Sequence, residues 1–149
     1  KSMYQRILVA TDGSALSKKA VKHAISLAAS TGASLVALKV VPRYPVSFFD
    51  GSATLSVETV SEAEKKWVTD AEAQLDAVVK EAQSAGVKAK TAVVKSDLIA
   101  ESIISAARKH KADLVVMASH GRKGLKRILL GSEALAVLTH SEVPVLILR

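Results

Sequence analysis

Tyr4-Gln5-Arg6-Ile7-Leu8-Val9-Ala10-Thr11 is followed, after Asp12-Gly13, by the stretch Ser14 to Ser30 and then by Ser34-Leu35-Val36-Ala37-Leu38-Lys39-Val40-Val41. The first and last of these segments are nearly continuous apolar runs with β-branched residues, the pattern of strands buried on both faces. Between them Ala20, Val21, Ala24, Ile25, Leu27 and Ala28 fall on one helical face, and Gly32 stops the helix. Strand, helix and strand in that order form a parallel unit with a right-handed crossover.

The alternation continues to the end of the chain. Further strands are predicted over Lys88 to Val94, Asp113 to Ala118 and Val143 to Leu148. A long helix is predicted over Glu58 to Ala85, where Val60, Ala63, Trp67, Ala71, Leu75, Val78 and Ala82 step by three or four, with Gly86 at its end. A third helix starts at Asp97 as N-cap and runs through Ile99, Ile103, Ile104 and Ala107 to the basic end Arg108-Lys109-His110-Lys111. A fourth begins at Ser132 and carries Ala134, Leu135, Val137 and Leu138 before Pro144. The expected fold is α/β, a doubly wound open parallel sheet with helices on both faces. With 149 residues the chain is the size of one domain. Lys1 and Ser2, ahead of Met3, are expected to be a remnant of expression. The connection Pro42 to Val57 holds two of the three prolines and three of the five aromatics, which fits a lid, a partner surface or a mobile loop.

Composition narrows the chemistry. Lys and Arg number 21 against 14 Asp and Glu, a net charge of +7 that favours an anionic partner without choosing between nucleotide, nucleic acid and plain solubility. Absence of cysteine excludes a disulfide framework, a thiolate nucleophile and a Cys-type zinc site, and the expected setting is cytoplasmic. The apolar runs are too short for a membrane span, so no membrane association is expected. Only five residues are aromatic, too few for the stacking platform that single-stranded nucleic acid needs.

Ligands of an open parallel sheet bind beyond the carboxyl ends of its strands. After the first strand comes Thr11-Asp12-Gly13-Ser14. A carboxylate there can accept from an exocyclic amine or a ribose hydroxyl, and Gly13 permits a tight exit; equally, Asp12 or Ser14 can simply cap the helix. After the fourth strand the chain reads Ala118-Ser119-His120-Gly121-Arg122-Lys123-Gly124-Leu125-Lys126-Arg127-Ile128-Leu129-Leu130-Gly131-Ser132. Gly121 and Gly131 let backbone N–H groups approach a phosphate, Ser132 stands at a helix N-terminus, and Arg122, Lys123, Lys126 and Arg127 add positive charge. His120 can donate to a phosphate, but as a general base it lacks a nucleophile, because in extended chain its neighbour Ser119 points the other way. Walker A, G-x-G-x-x-G, G-x-S-x-G and H-E-x-x-H sequences are all missing.

The segment Met117 to Ser132, the opening Ile7 to Ser14 and the closing Pro144-Val145-Leu146-Ile147-Leu148 together resemble the universal stress protein family, and the resemblance spans essentially the whole chain. It implies a five-stranded sheet in order 3-2-1-4-5 and a homodimer paired through the strand Val143 to Leu148. In one branch it implies ATP, ADP or AMP bound, with Mg²⁺ or Mn²⁺, without a defined catalytic reaction. That branch carries Gly, two residues, Gly, nine residues, then Gly-Ser or Gly-Thr. Here the second Gly is Gly121, the nine are Arg122 to Leu130, the closing pair is Gly131-Ser132, and Ala118 replaces the first Gly. By the same resemblance Asp12 contacts adenosine beside Thr11, the Val40 backbone meets adenine and Met117 lines that pocket. Ala118, His120, Gly121, Gly131, Ser132 and Glu133 form the phosphate end.

Two departures from the family pattern matter. The Ala118 methyl either crowds the ligand or ends the strand in the core. Glu133 stands where relatives carry a small or apolar residue, and it serves the helix dipole, turns to solvent or holds a metal. The leading reading is an adenine-nucleotide-binding, stress-response regulatory module. Against it stand a slow ATPase or phosphotransferase, for which no general base can be named, and a dimeric interaction scaffold that has lost its nucleotide. Nonspecific nucleic-acid binding, marked by steep salt dependence, comes last.

Overall fold

The computed structural model describes residues 3–43, 57–121 and 130–149. The centre of the connection Pro42 to Val57 and the cations Arg122, Lys123, Lys126 and Arg127 therefore lie outside the described residues, as do Lys1 and Ser2. Among the described residues nine elements alternate: β1 Arg6–Ala10, α1 Ala15–Thr31, β2 Ser34–Val41, α2 Val57–Ser84, β3 Ala89–Lys95, α3 Ile99–Lys109, β4 Leu114–Ala118, α4 Ser132–His140 and β5 Val145–Leu148. The strands form one parallel sheet in the order β3-β2-β1-β4-β5. β1 is its centre, with Leu8 in register between Val36 and Val115.

Because successive strand residues point to opposite faces, the apolar strands feed two cores. Ile7, Val9, Leu35, Ala37, Leu114 and Val116 meet Ala20, Ala24 and Ala28 of α1 and Leu75 and Ala82 of α2. On the other face Leu8, Val36, Leu38, Val115 and Met117 meet Ile103 and Ala107 of α3 and Ala134 and Val137 of α4. Each fully buried Leu, Ile or Val is worth roughly 1.5–3 kcal/mol, so these two layers carry most of the stability. Alanines dominate the α1 contact face and let that helix approach the sheet closely.

Local chemistry sets the helix ends. Ser14 caps α1 by accepting from the Ser17 N–H, and Gly32, at φ 74°, supplies the left-handed residue that closes it. Asp97 does not cap α3, contrary to the expectation. Its Oδ1 accepts the Arg43 N–H instead, and the Ser96 hydroxyl accepts from Leu98. The carboxylate thus reaches across to the chain just beyond the end of β2. α2 buries only Ala71, Leu75, Val78 and Ala82, all in its second half. A helix of 28 residues is about 42 Å long, whereas the 8 residues of β2 span about 26 Å, so the amino half overhangs the sheet.

Two strands are shorter than their apolar runs. Ahead of β1, the Gln5 N–H donates to the Asp113 carboxylate, and so does the Arg6 N–H at the strand's first residue, at 2.8 and 3.1 Å. Ahead of β5, Val143 bonds back to Ser141, and Pro144, which has no N–H to give, still accepts from the Val115 N–H at 3.0 Å.

Candidate functional site

The chain order reverses at β1, whose neighbours β2 and β4 leave a crevice beyond their carboxyl ends. The Thr11 N–H donates to the Leu38 carbonyl and fixes where β1 ends. Val40 lies two residues beyond Leu38 on β2, past the last β1 partner, half-buried against the α3–α4 core that also holds Met117. The two apolar residues assigned to the adenosine end thus share one cluster.

The turn after β1 is a closed hydrogen-bonded ring. The Ser17 hydroxyl donates to the Ser14 carbonyl at 2.9 Å and also accepts the Asp12 N–H. Its one proton is thereby used, so the contact of 3.1 Å with Thr11 Oγ1 has Thr11 as donor. Thr11 Oγ1 in turn accepts the Gly13 N–H, and Asp12 Oδ1 accepts the Ser14 N–H. Gly13 sits at φ 82°, a conformation that glycine adopts without strain. Of the two readings of this turn the capping one is seen, at Ser14, while Asp12 accepts the Ser14 N–H at the edge of the crevice. Ser17, only 3% exposed, was not singled out from the sequence. Its spacing of three from the cap residue Ser14 was the available signal.

At the end of β4 the strand bends. Met117 is buried in the α3–α4 core, and Ala118, also buried, pairs with Leu148. Alternation from Leu114 and Val116 places the Ala118 methyl on the α1–α2 face, the second of its two sequence readings. Beyond it the Ser119 N–H donates to the Leu148 carbonyl, and the Ser119 carbonyl accepts the Gly131 N–H, both at 2.7 Å. Ser119 Oγ and His120 Nδ1 lie 3.2 Å apart. The sequence reading had these side chains pointing apart; the extended conformation that reading assumed stops at Ala118, so the two meet.

Of the two described glycines of this segment, Gly131 is demanded by a neighbouring backbone, and Gly121 lies against the end of a side chain. A Cβ on Gly121 would lie 2.7 Å from Asp12 Oδ2, which brings the β4 loop onto the β1 carboxylate. A Cβ on Gly131 would lie 2.9 Å from the Ser119 carbonyl oxygen and 3.3 Å from His120 Cα. Gly131 caps α4, and its N–H is already donated to Ser119, so the amides left to meet a ligand at this helix end are those of Ser132, Glu133 and Ala134. The Ser132 hydroxyl donates to Glu133 Oε2 at 2.9 Å. Asp12 with Gly121, Gly131 with Ser119 and His120, and Ser132 with Glu133 are therefore paired in space.

Two open grooves flank this region. One, of about 520 Å³, runs between the amino half of α3 and the length of α4 and is lined by Asp97, Leu98, Glu101, Ser132, Glu133 and His140. The other, of about 560 Å³, lies between β3 and α3 beside Ser105, Lys109 and His110, none of them assigned to a ligand site from the sequence. Among the described residues no cluster of three His, Asp or Glu side chains is placed to hold a metal ion on its own. No helix among them is long and apolar enough to cross a membrane.

Known proteins with this arrangement carry one family description. The chain matches the Universal stress protein family over residues 3–149. It is 38% identical over 149 residues to the Methanocaldococcus jannaschii universal stress protein MJ0531, covering 100% of this chain and 84% of that one. It is 32% identical to universal stress protein YxiE of Bacillus subtilis, covering 99% and 100% of the two chains. Among solved structures, MJ0577 superimposes with a TM-score of 0.82 at 29% identity, covering 98% of this chain and 96% of that one. A universal stress protein in complex with cAMP gives a TM-score of 0.70 at 28% identity, covering 99% of each chain. Strand order, the bent β4 loop with its paired glycines and full-length similarity agree, and the chain belongs to the universal stress protein family.

Proposed function

We propose that the chain binds an adenine nucleotide across the carboxyl ends of β1 and β4 and acts in the stress response as a cytoplasmic regulatory module, working as a homodimer without a defined catalytic reaction. The observation that carries the reading is the approach of Gly121 to the Asp12 carboxylate, 2.7 Å from a would-be Cβ, because it brings the adenosine and phosphate ends of the motif to one crevice. Asp12 contacts the ribose, and Thr11, Val40 and Met117 form the adenine side. The Ala118 backbone, His120 and Gly121, together with the first turn of α4 at Gly131, Ser132 and Glu133, form the phosphate end, where helix amides and dipole favour an anion. A relative of similar length and 28% identity was solved with cAMP, which supports the ligand class. By the family resemblance the segment from Gly121 to Gly131-Ser132 takes ATP, and ADP or AMP would use the same groups. Mg²⁺ or Mn²⁺ would enter with the phosphates, since the described side chains build no metal site by themselves.

The test is the nucleotide content of the purified protein. Denaturation should release an adenine nucleotide, identified by chromatography, at a substantial fraction of one per chain. Protein that releases none, and that shows no heat with AMP, ADP or ATP in titration calorimetry, would point instead to the interaction scaffold.

A further inference from the structure

We propose that Glu133 tunes the charge preference of this site, narrowing the advantage of the triphosphate over adenine nucleotides with fewer phosphates; the proposal rests on the nucleotide reading above. The argument starts from donors already committed. Gly131 gives its N–H to the Ser119 carbonyl at 2.7 Å, and Ser132 gives its hydroxyl proton to Glu133 Oε2 at 2.9 Å. A serine hydroxyl has one proton, so Ser132 cannot serve a phosphate while Glu133 holds it. The carboxylate thus stands in for a phosphate oxygen at the amino end of α4, where the helix dipole would otherwise attract the ligand.

Charge around the same helix end adds to this. The groove lined by Ser132 and Glu133 also carries Asp97 and Glu101, three carboxylates on one opening. An arriving phosphate can use the amides of Ser132, Glu133 and Ala134, but it competes with Glu133 for the Ser132 hydroxyl and then remains beside a negative group. The Coulomb cost grows with each phosphate charge, so it falls on ATP more than on ADP and on ADP more than on AMP. Glu133 is exposed, and solvent and salt screen part of the repulsion, so its effect is to tune affinity by several-fold rather than to exclude the triphosphate. A carboxylate in the first turn of a helix also steadies the helix itself, but that role moves stability without depending on ligand charge.

The test compares the wild-type chain with Glu133→Gln, which keeps an oxygen acceptor for Ser132 and removes only the charge. AMP, ADP and ATP are titrated by calorimetry into both proteins at low salt without divalent cation. Glu133→Gln should strengthen ATP binding by about five- to tenfold and AMP binding by less than about twofold, and about 1 M salt should shrink the difference. Equal factors for AMP and ATP, or none, would overturn the proposal and leave the nucleotide site standing. Absence of binding by all three nucleotides to both proteins would overturn the site and the proposal together.

Discussion

Ser17 does more for the crevice than any residue that would touch a ligand there. Its hydroxyl joins the Ser14 carbonyl, the Asp12 N–H and the Thr11 hydroxyl, so the path of the chain from β1 into α1 depends on one buried oxygen. Ser17→Ala is expected to cost about 1–3 kcal/mol, because it leaves the Asp12 N–H and the Thr11 hydroxyl without this partner in a buried turn. Chemical denaturation would measure the loss, and a change below about 0.5 kcal/mol would show that the ring is not cooperative. Such a residue is hard to read from sequence, since a serine inside a helix usually marks the solvent face. Gly131 was legible because glycine is the residue type that lets another backbone, the Ser119 carbonyl, close in, and Gly121 and Asp12 because strand mouths are where an α/β sheet brings loops together. Asp97 was misread because the neighbouring Ser96 is an equally good capping type, and nothing local shows that the end of β2 competes for the carboxylate.

Among the elements, α2 shows how far periodicity reaches. Its predicted span, Glu58 to Ala85, agrees closely with Val57–Ser84, and the apolar stripe from Val60 onward has the expected spacing. What the stripe could not disclose is depth: burial begins only at Ala71, because the strands beneath are shorter than the helix. The helix should therefore be unequal in stability along its length. Hydrogen exchange read by mass spectrometry is expected to show amides 57–70 exchanging at least about tenfold faster than amides 71–84, since the apolar stripe of the former, Val60, Ala63 and Trp67, is only half-buried. Uniform protection across the helix would mean that its amino half has a cover. Sheet order, by contrast, was not legible from any element alone. Local patterns specify strands and faces, while which strand lies beside which came from the family resemblance and is confirmed by the register of Leu8 with Val36 and Val115.

In the whole molecule the two edges of the sheet differ. β3 carries Lys90 and Lys95 along an open edge, a charge pattern that discourages pairing with another chain. β5 has no lysine, and its Val145, Leu146, Ile147 and Leu148 are all half-buried, while Leu135 and Leu138 on the adjoining α4 are 52% and 48% exposed. The proposed homodimer through Val143 to Leu148 follows from that contrast, because pairing two such edges would satisfy backbone groups and cover the leucines together. Light scattering at micromolar concentration should give twice the chain mass of 15.7 kDa, and a single-chain mass would reject the edge as a self-pairing surface.

Clamping of the Gln5 and Arg6 amides by Asp113, across a separation of 108 residues for Gln5, also bears on how the protein is made. β1 leaves the ribosome before β2 and soon finds it, yet its other flank waits for β4. At a synthesis rate of roughly 5–20 residues per second, that flank stays uncovered for about 5–20 seconds, a period in which Ile7, Leu8 and Val9 are an unfinished edge. The crevice beyond β1 and β4 is consequently among the last places in the nascent chain to take shape, and holding the growing polypeptide apart from its neighbours during that delay is a task for chaperones rather than for the fold.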